Sequence, residues 1–464
     1  MRAVRAAWLA LALALAGCAG PRVAVAPVPP VVAPPAWRAD DVAVVPDWWV
    51  QFGDPVMAAL VERAEAANAD IGVALARIRD ARAQEALARS ALLPTVDAGA
   101  GVTRSRSVNA FGRPSEQTAG QPQLQVAWEA DLFGRLGDQV AAARAGRAAS
   151  EAARDATRLS IAAATANGYI TLRALDARLD VARATLAARG EALALIRRRT
   201  AAGYSPRLEL AQAEAEYQAA AQIVPALQLA TTRQENALRL LTGDVPGAVA
   251  RGLPLAGLAR PAVPEGLPAD LLRRRPDVAQ AEFQLAASDG ALAAARKRFL
   301  PQVRLSASAG AAFSSLLGDP ITLWSAGGSI LAPLFEGGRL TAQAESAAAQ
   351  RDSAAFAYRR TALTAFREAD DAMAAVLRGD EQVRVLTAQR DALAEALRLA
   401  TNRYREGYSP LFEELDAQRG LLAAELALVQ ARADALIARV ALFQALGGGW
   451  RAQAEAGTAT VSGR

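Results

Sequence analysis

The chain has 464 residues, one cysteine, no histidine and a formal net charge of +5, and 52% of its residues are hydrophobic. Without histidine it lacks the commonest general base and imidazole metal ligand, and a single cysteine closes neither an internal disulfide nor a multi-cysteine metal site. Its positive charge is almost all arginine, Lys297 being the one lysine, and it alternates with Asp and Glu along helical stretches; that is the pattern of solvated faces, not of a nucleic-acid patch.

The chain opens on Arg2 and Arg5, an apolar run from Trp8 to Ala16, and Leu15-Ala16-Gly17-Cys18. The run is too short for a stable membrane span and reads as a signal peptide over 1–17. Small residues running into Cys18 resemble a bacterial lipoprotein box. That resemblance implies a covalent lipid (palmitate) on Cys18 as the only attached group, and Ala19 after it suits sorting to the outer membrane. Residues 18–46, rich in Pro, Val and Ala from Pro21 to Pro35, read as an extended tether.

Order starts at Trp48-Trp49. Asp54-Pro55 has the form of a helix cap and first turn, and helical periodicity runs to about Leu92 with a break near Asn68. Leu93-Pro94 ends it. The period then becomes two: Val96, Ala98, Ala100 and Val102 alternate with polar or small residues, and after a polar loop from Asn109 to Gln121, Leu124, Val126 and Trp128 do the same. Strands are expected at about 95–107 and 122–131. From Arg135 to Thr200 there is no proline, and Leu172, Leu179, Leu186 and Leu193 fall seven apart. This is a coiled-coil seam in a helix on the order of 100 Å long.

Gly203-Tyr204-Ser205-Pro206 follows. Gly suits the left-handed position after a helix, Ser a cap, and Pro a first helical turn, so this is a hairpin tip. The returning helix reaches about Leu241, with Pro225 as its expected kink. A Pro/Gly-rich connection covers 244–268.

The pattern then restarts. Asp70 to Pro94 and Asp277 to Pro301 align without a gap, and strands are expected at about 302–313 and 321–332. A second proline-free run carries Val376, Val383, Leu397 and Tyr404 in heptad frame, and Gly407-Tyr408-Ser409-Pro410 repeats the tip. The repeats are 47–243 and 269–450, with a polar tail over 451–464. Four strands cannot close a barrel, and open edges are not viable in lipid, so several chains are needed to close one.

The duplicated hairpin, the stretch Trp128 to Arg135, Arg274-Arg275-Pro276-Asp277, Leu415 to Arg419 and the closing Ala445-Leu446-Gly447-Gly448-Gly449-Trp450 resemble the TolC-like outer-membrane factor family, and within it the NodT-type lipoprotein branch. The resemblance spans Trp48 to Trp450. It implies a mainly helical homotrimer, in which a twelve-stranded outer-membrane β-barrel continues into a periplasmic helical barrel. It also implies a non-enzymatic role as the exit duct of a tripartite efflux pump, with a periplasmic adaptor, an inner-membrane RND transporter and outer-membrane lipid as partners. No catalytic constellation, metal site or nucleic-acid partner is expected.

The resemblance further implies a periplasmic gate. Glu413 and Asp416 fall on the family's acidic gate positions, three apart on one helix face. Arg419 lies three further on, where it can pair with Asp416 within or between subunits. In the first tip Glu209 matches Glu413, but Gln212 and Ala215 replace Asp416 and Arg419, so that hairpin is expected to be the more static. The tip residues Gly203, Tyr204, Ser205, Pro206, Gly407, Tyr408, Ser409 and Pro410 are turns that also suit adaptor docking. Arg197-Arg198-Arg199 suits a solvated helix C-terminus. Trp128 and Trp324 fit either a membrane-interface belt or subunit packing. Two other readings stand beside efflux: the duct of a type I protein-secretion system, and a lipid-anchored periplasmic coiled-coil rod, which the strands disfavour.

Overall fold

A computed structural model describes residues 23–32, 46–108, 110–262, 271–315 and 318–450. The expected signal peptide, Cys18, part of the tether and of the connection, and the polar tail lie outside the described residues. The chain divides into two compact units, one holding the strands and the helix ends that meet them (Ala76–Glu151 and Gln280–Arg360), the other the remaining helices and both tips (Val31–Leu75, Ala152–Ala279, Thr361–Arg464).

Capping chemistry sets the first helices. The Asp54 carboxylate accepts from the N–H groups of Val56 (2.8 Å) and Met57 (3.4 Å), with Pro55 opening α1, Pro55–Ala67. Asn68 is extended, and its side chain accepts the Asp70 N–H (2.8 Å) at the start of α2, Ala69–Ser90. The proline-free run is α3, Arg135–Ala201, 67 residues. The return is two helices, α4 Arg207–Ala221 and α5 Ile223–Leu241, meeting at Gln222. Pro225 has no N–H for the Ala221 carbonyl and its ring crowds that oxygen, so the break falls one turn before the proline. The second half gives α6 Pro276–Lys297, α7 Arg339–Arg405 and α8 Leu411–Ala445. α7 has 67 residues like α3, and α8 covers in 35 unbroken residues what α4 and α5 cover together. α6 starts 207 residues after α2 (276 against 69), whereas α7 starts 204 after α3 (339 against 135). The duplication is therefore residue-exact in the helices, and the second strand region is three residues shorter.

In the strand unit, β1 Thr95–Gly99 and β2 Val102–Val108 form one edge, interrupted at Ala100-Gly101; β3 Pro114–Gly120 and β4 Gln123–Ala130 return beside them. β4 pairs with β5, Gln302–Ser314, and β5 with β6, Ile321–Leu331, all antiparallel. The stretch Asn109 to Gln121, expected as a loop, thus contains a strand. β3 has no apolar alternation to reveal it; the backbone ladder to β2 and the Arg104–Glu116 ion pair (3.3 Å) hold it. Register sorts the sheet into two faces. Val96, Val126, Ala307 and Ala326 stand in one row, and Ala98, Leu124, Ala309 and Trp324 in the next. Asp97, Gln125, Ser308 and Ser325 form a row on the opposite face. The apolar face is exposed at Val96, Leu124, Trp324 and Ile330.

In the helical unit, Trp48, Phe52, Met57, Tyr169, Ile170 and Phe443 make the largest core, with Trp48 stacked on Phe443 at 5.4 Å. Seam residues Leu172, Leu179, Leu193, Val376 and Val383 are buried, while Leu186, Leu397 and Tyr404 are half-buried. Arg275 is buried and donates to Asp277 (2.8 and 3.0 Å), to Glu368 (2.7 Å) and to the Ala445 carbonyl (3.1 Å). Burial pulls its pKa down, but the two carboxylates more than offset this and hold it above its ordinary value. The described tether residues are docked: Val23 accepts from Arg296 (3.0 Å), the Ala26 N–H donates to Asp352 (2.9 Å), and Val31 packs on the Leu271–Phe366 cluster.

Candidate functional site at the hairpin tips

The two tips are one motif built twice. Gly203 and Gly407 take φ of 80° and 78°. The N–H of Tyr204 reaches back to the Arg199 carbonyl and that of Gly203 to Thr200; Tyr408 and Gly407 do the same to Arg403 and Tyr404. This double bond pattern closes a helix C-terminus with a left-handed glycine, which alone has no Cβ to clash there. Pro206 and Pro410, expected inside the first turn, stand one residue earlier at the N-cap, with no side-chain cap bond. Their carbonyls accept from Glu209 (3.1 Å) and Glu413 (3.2 Å). The serines are not the caps expected of them, and the buried Ser409 Oγ has no hydrogen-bond partner among the described residues. Tyr204 and Tyr408 project outward, 85% and 79% exposed.

Behind the tips Leu193, Ile196, Ala213, Leu411 and Leu415 form a small core that joins the two hairpins, with Tyr404 against it. Burial first, and then the Glu209 carboxylate, push the Tyr404 hydroxyl pKa up. Glu413 and Asp416 are exposed on α8. Glu413 lies 4.0 Å from Arg403. Asp416 has no hydrogen bond or ion pair among the described residues.

Arg419 does not pair with Asp416 within the chain. It reaches Glu216 of the first hairpin, with Nε at 2.7 Å and Nη2 at 2.5 Å from one carboxylate oxygen. Arg189 holds the other oxygen at 2.9 Å and donates to the Glu216 carbonyl at 2.7 Å. Arg189 is 5% exposed, Glu216 10% and Arg419 48%. The hydrogen bond to Glu216, with the nearby Asp416 charge, raises the Arg419 pKa; burial, and then the Arg419 charge, lower that of Arg189. Glu216 thus joins a fixed cation inside its own hairpin to a half-exposed one on the other. The sequence reading missed Glu216 and Arg189. The signal available was a charge on the buried face of each helix, but which charges meet depends on how the hairpins pack. Arg197 pairs with Glu214 at 3.1 Å on the exposed side. Cys18 lies outside the described residues, and among these no cluster of His, Cys, Asp and Glu is placed to hold a metal.

Comparison with known proteins points one way. The outer membrane efflux protein family matches residues 60–244 and 267–448. The probable efflux pump outer membrane protein TtgC of Pseudomonas putida is 34% identical over 434 residues, covering 90% of this chain and 88% of that protein. The pyoverdine export outer membrane protein OpmQ of Pseudomonas aeruginosa is 31% identical over 437 residues, covering 91% and 92%. Among solved structures, the outer-membrane channel OprN superposes with a TM-score of 0.80 at 30% identity, over 91% of this chain and 99% of that one.

Proposed function

The chain belongs to the outer membrane efflux protein family, and we propose that three copies of it close the channel that one copy leaves open. It is the outer-membrane exit duct of an efflux pump, reaching from the outer membrane into the periplasm, and not an enzyme. One observation carries the proposal: among the described residues the sheet has two unpaired edges, β1–β2 and β6, and an exposed apolar face. Lipid tolerates no open edge, so β6 of one copy pairs with the first strands of the next; with β1–β2 and β3–β4 each counted as one interrupted strand, every copy supplies four and three copies give twelve, with the polar face inward. At 13 and 11 residues, β5 and β6 are long enough to cross when tilted.

A lipid on Cys18 adds a second anchor. A periplasmic adaptor seats on the exposed tips at Gly203 to Pro206 and Gly407 to Pro410, and an inner-membrane RND transporter drives export. The tips form the resting gate, with Glu413 and Asp416 as carboxylate rings and Arg419 as the movable latch. Arg419 is half-exposed, so releasing it costs about 0–1 kcal/mol, within reach of a docking partner. Its counter-charge Glu216 stays fixed by the buried Arg189.

Native mass spectrometry and single-channel recording of detergent-purified protein test this together. The expected result is a trimer with small, infrequent openings, and larger stable currents for Asp416→Ala/Arg419→Ala. Unchanged currents in that variant would remove the gate from the second tip. A monomer without conductance would leave a lipid-anchored coiled-coil rod as the better reading.

A further inference from the structure

At the base of the sheet, where strands meet helices, the charges are unevenly matched. Glu129 stands opposite Arg304 in the ladder, yet its carboxylate is held by Arg135 at 2.7 Å. Arg304 is left with the amide oxygen of Gln302 (3.1 Å). Arg298 donates to the amide oxygen of Gln343 (2.9 Å), and Arg339 bonds Glu336. Among the described residues neither Arg298 nor Arg304 pairs with a carboxylate. All four arginines line one open cavity of about 430 Å³, in which Glu336 is the sole acidic wall residue.

This cavity opens on the polar side of the sheet. Gln302 and Arg304 alternate with Val303 and Leu305, and Glu129 and Ser329 share the Arg304 row. We propose that Arg135, Arg298, Arg304 and Arg339 form a basic collar inside the duct that binds small anionic solutes, those carrying carboxylate or phosphate groups, as they enter the strand region. The proposal rests on the reading above that the polar face lines the lumen. Arg135 and Arg339 are each matched by a carboxylate, which leaves Arg298 and Arg304 as two uncompensated guanidiniums facing one space; an anion relieves their repulsion, and the planar fork of arginine fits carboxylate and phosphate oxygens. The volume suits a small molecule. A lipid headgroup would need the charges on the opposite face, where Val303, Leu305 and Ile330 stand. Threefold repetition makes the collar a ring, which focuses potential across a narrow passage and biases it toward anions.

The test is calorimetric titration of the purified full-length protein with tripolyphosphate, alongside reversal potentials in a KCl gradient. Wild type is expected to bind at least about tenfold more tightly than Arg298→Gln/Arg304→Gln. The variant's reversal potential should move toward cation selectivity, and Arg298→Lys/Arg304→Lys should keep most of the binding. Equal binding by wild type and the Gln variant, or none by wild type, overturns the collar. If the wild type binds but no form conducts, the duct reading fails and the anion site stands. If all forms conduct with one reversal potential and no binding difference, the collar fails and the duct stands.

Discussion

Gly243 in the first half and Gly447 in the second occupy one place in the repeat, with φ of 72° and 86°. Each lies against the backbone that opens the helix of its own half: a Cβ on Gly243 would sit 2.7 Å from the Ala67 oxygen, and one on Gly447 1.8 Å from that of Arg274. Beside them, Asn68 donates to the Leu241 carbonyl (2.9 Å) and Arg275 to that of Ala445 (3.1 Å). The backbone contact was duplicated unchanged, while the donor changed from a neutral amide to a guanidinium that also gathers Asp277 and Glu368. A helix end needs a donor for its last carbonyl, and any donor of the right reach satisfies it. The tips divide the same way. There the turns match bond for bond, and the charges do not: the first hairpin keeps the buried Arg189–Glu216 pair, and the second contributes the half-exposed Arg419.

The harshest way to break this comparison is at the shared contact. Gly447→Ala should cost at least about 4 kcal/mol, since it combines a left-handed φ with a clash against a backbone oxygen. Gly243→Ala should cost less, in the order of the two distances. Chemical denaturation of the purified protein reads both, and equal losses would mean that the backbone relaxes around the two glycines alike.

Next comes the tip. Glu216→Ala strands the buried Arg189 and should cost about 3–5 kcal/mol, whereas Arg419→Ala, at the exposed end of the same carboxylate, should cost under about 1 kcal/mol. Hydrogen exchange of the tip helices would separate them. Similar losses would show that the two arginines hold Glu216 equally and that Arg419 is no latch.

The next expected loss lies further up the first hairpin. Tyr169 donates to Asp54 (2.8 Å) and accepts from the Gly252 N–H (2.9 Å), while the second half has Met373 at the equivalent position. Burial, and then the Asp54 hydrogen bond, push the Tyr169 pKa up to about 12. A pKa raised in the folded state means that this stability is whole below the ordinary value of about 10 and drains as pH rises through 12. Tyr169→Phe should cost about 1–2 kcal/mol near neutrality and flatten the loss between pH 10 and 12. A denaturation midpoint followed across that range checks it, and an unchanged slope in Tyr169→Phe would assign the loss to other groups.

The smallest effect concerns the broken return helix. Pro225→Ala should restore the bond to the Ala221 carbonyl and make α4 and α5 one helix like α8, a gain of under about 1 kcal/mol read as slower amide exchange near Gln222. Unchanged exchange there would place the cause of the break elsewhere.

Much of this was legible in the chain. Helix lengths, the duplicated tips, the Asp54 cap, the break at Asn68 and the alternation of the strands are local; each follows from period, proline and glycine placement, or a capping residue within a turn of its partner. The family could be recognised for the same reason, because its motifs lie at these local fixtures. β3 escaped because a strand polar on both faces has no period to betray it, and only its ladder partner defines it. The tip charges escaped for a related reason. Arg419 has Asp416 three residues away on its own helix, but Glu216, 203 residues earlier, takes the bond because packing brings it to 2.5 Å beside a buried arginine. Likewise Glu129 and Arg304 face each other in register, and Arg135 takes the carboxylate. Sequence determines which charges a helix or strand displays; which of them meet is decided by tertiary structure, since ion pairing depends on distance and burial, and neither is a property of spacing along the chain.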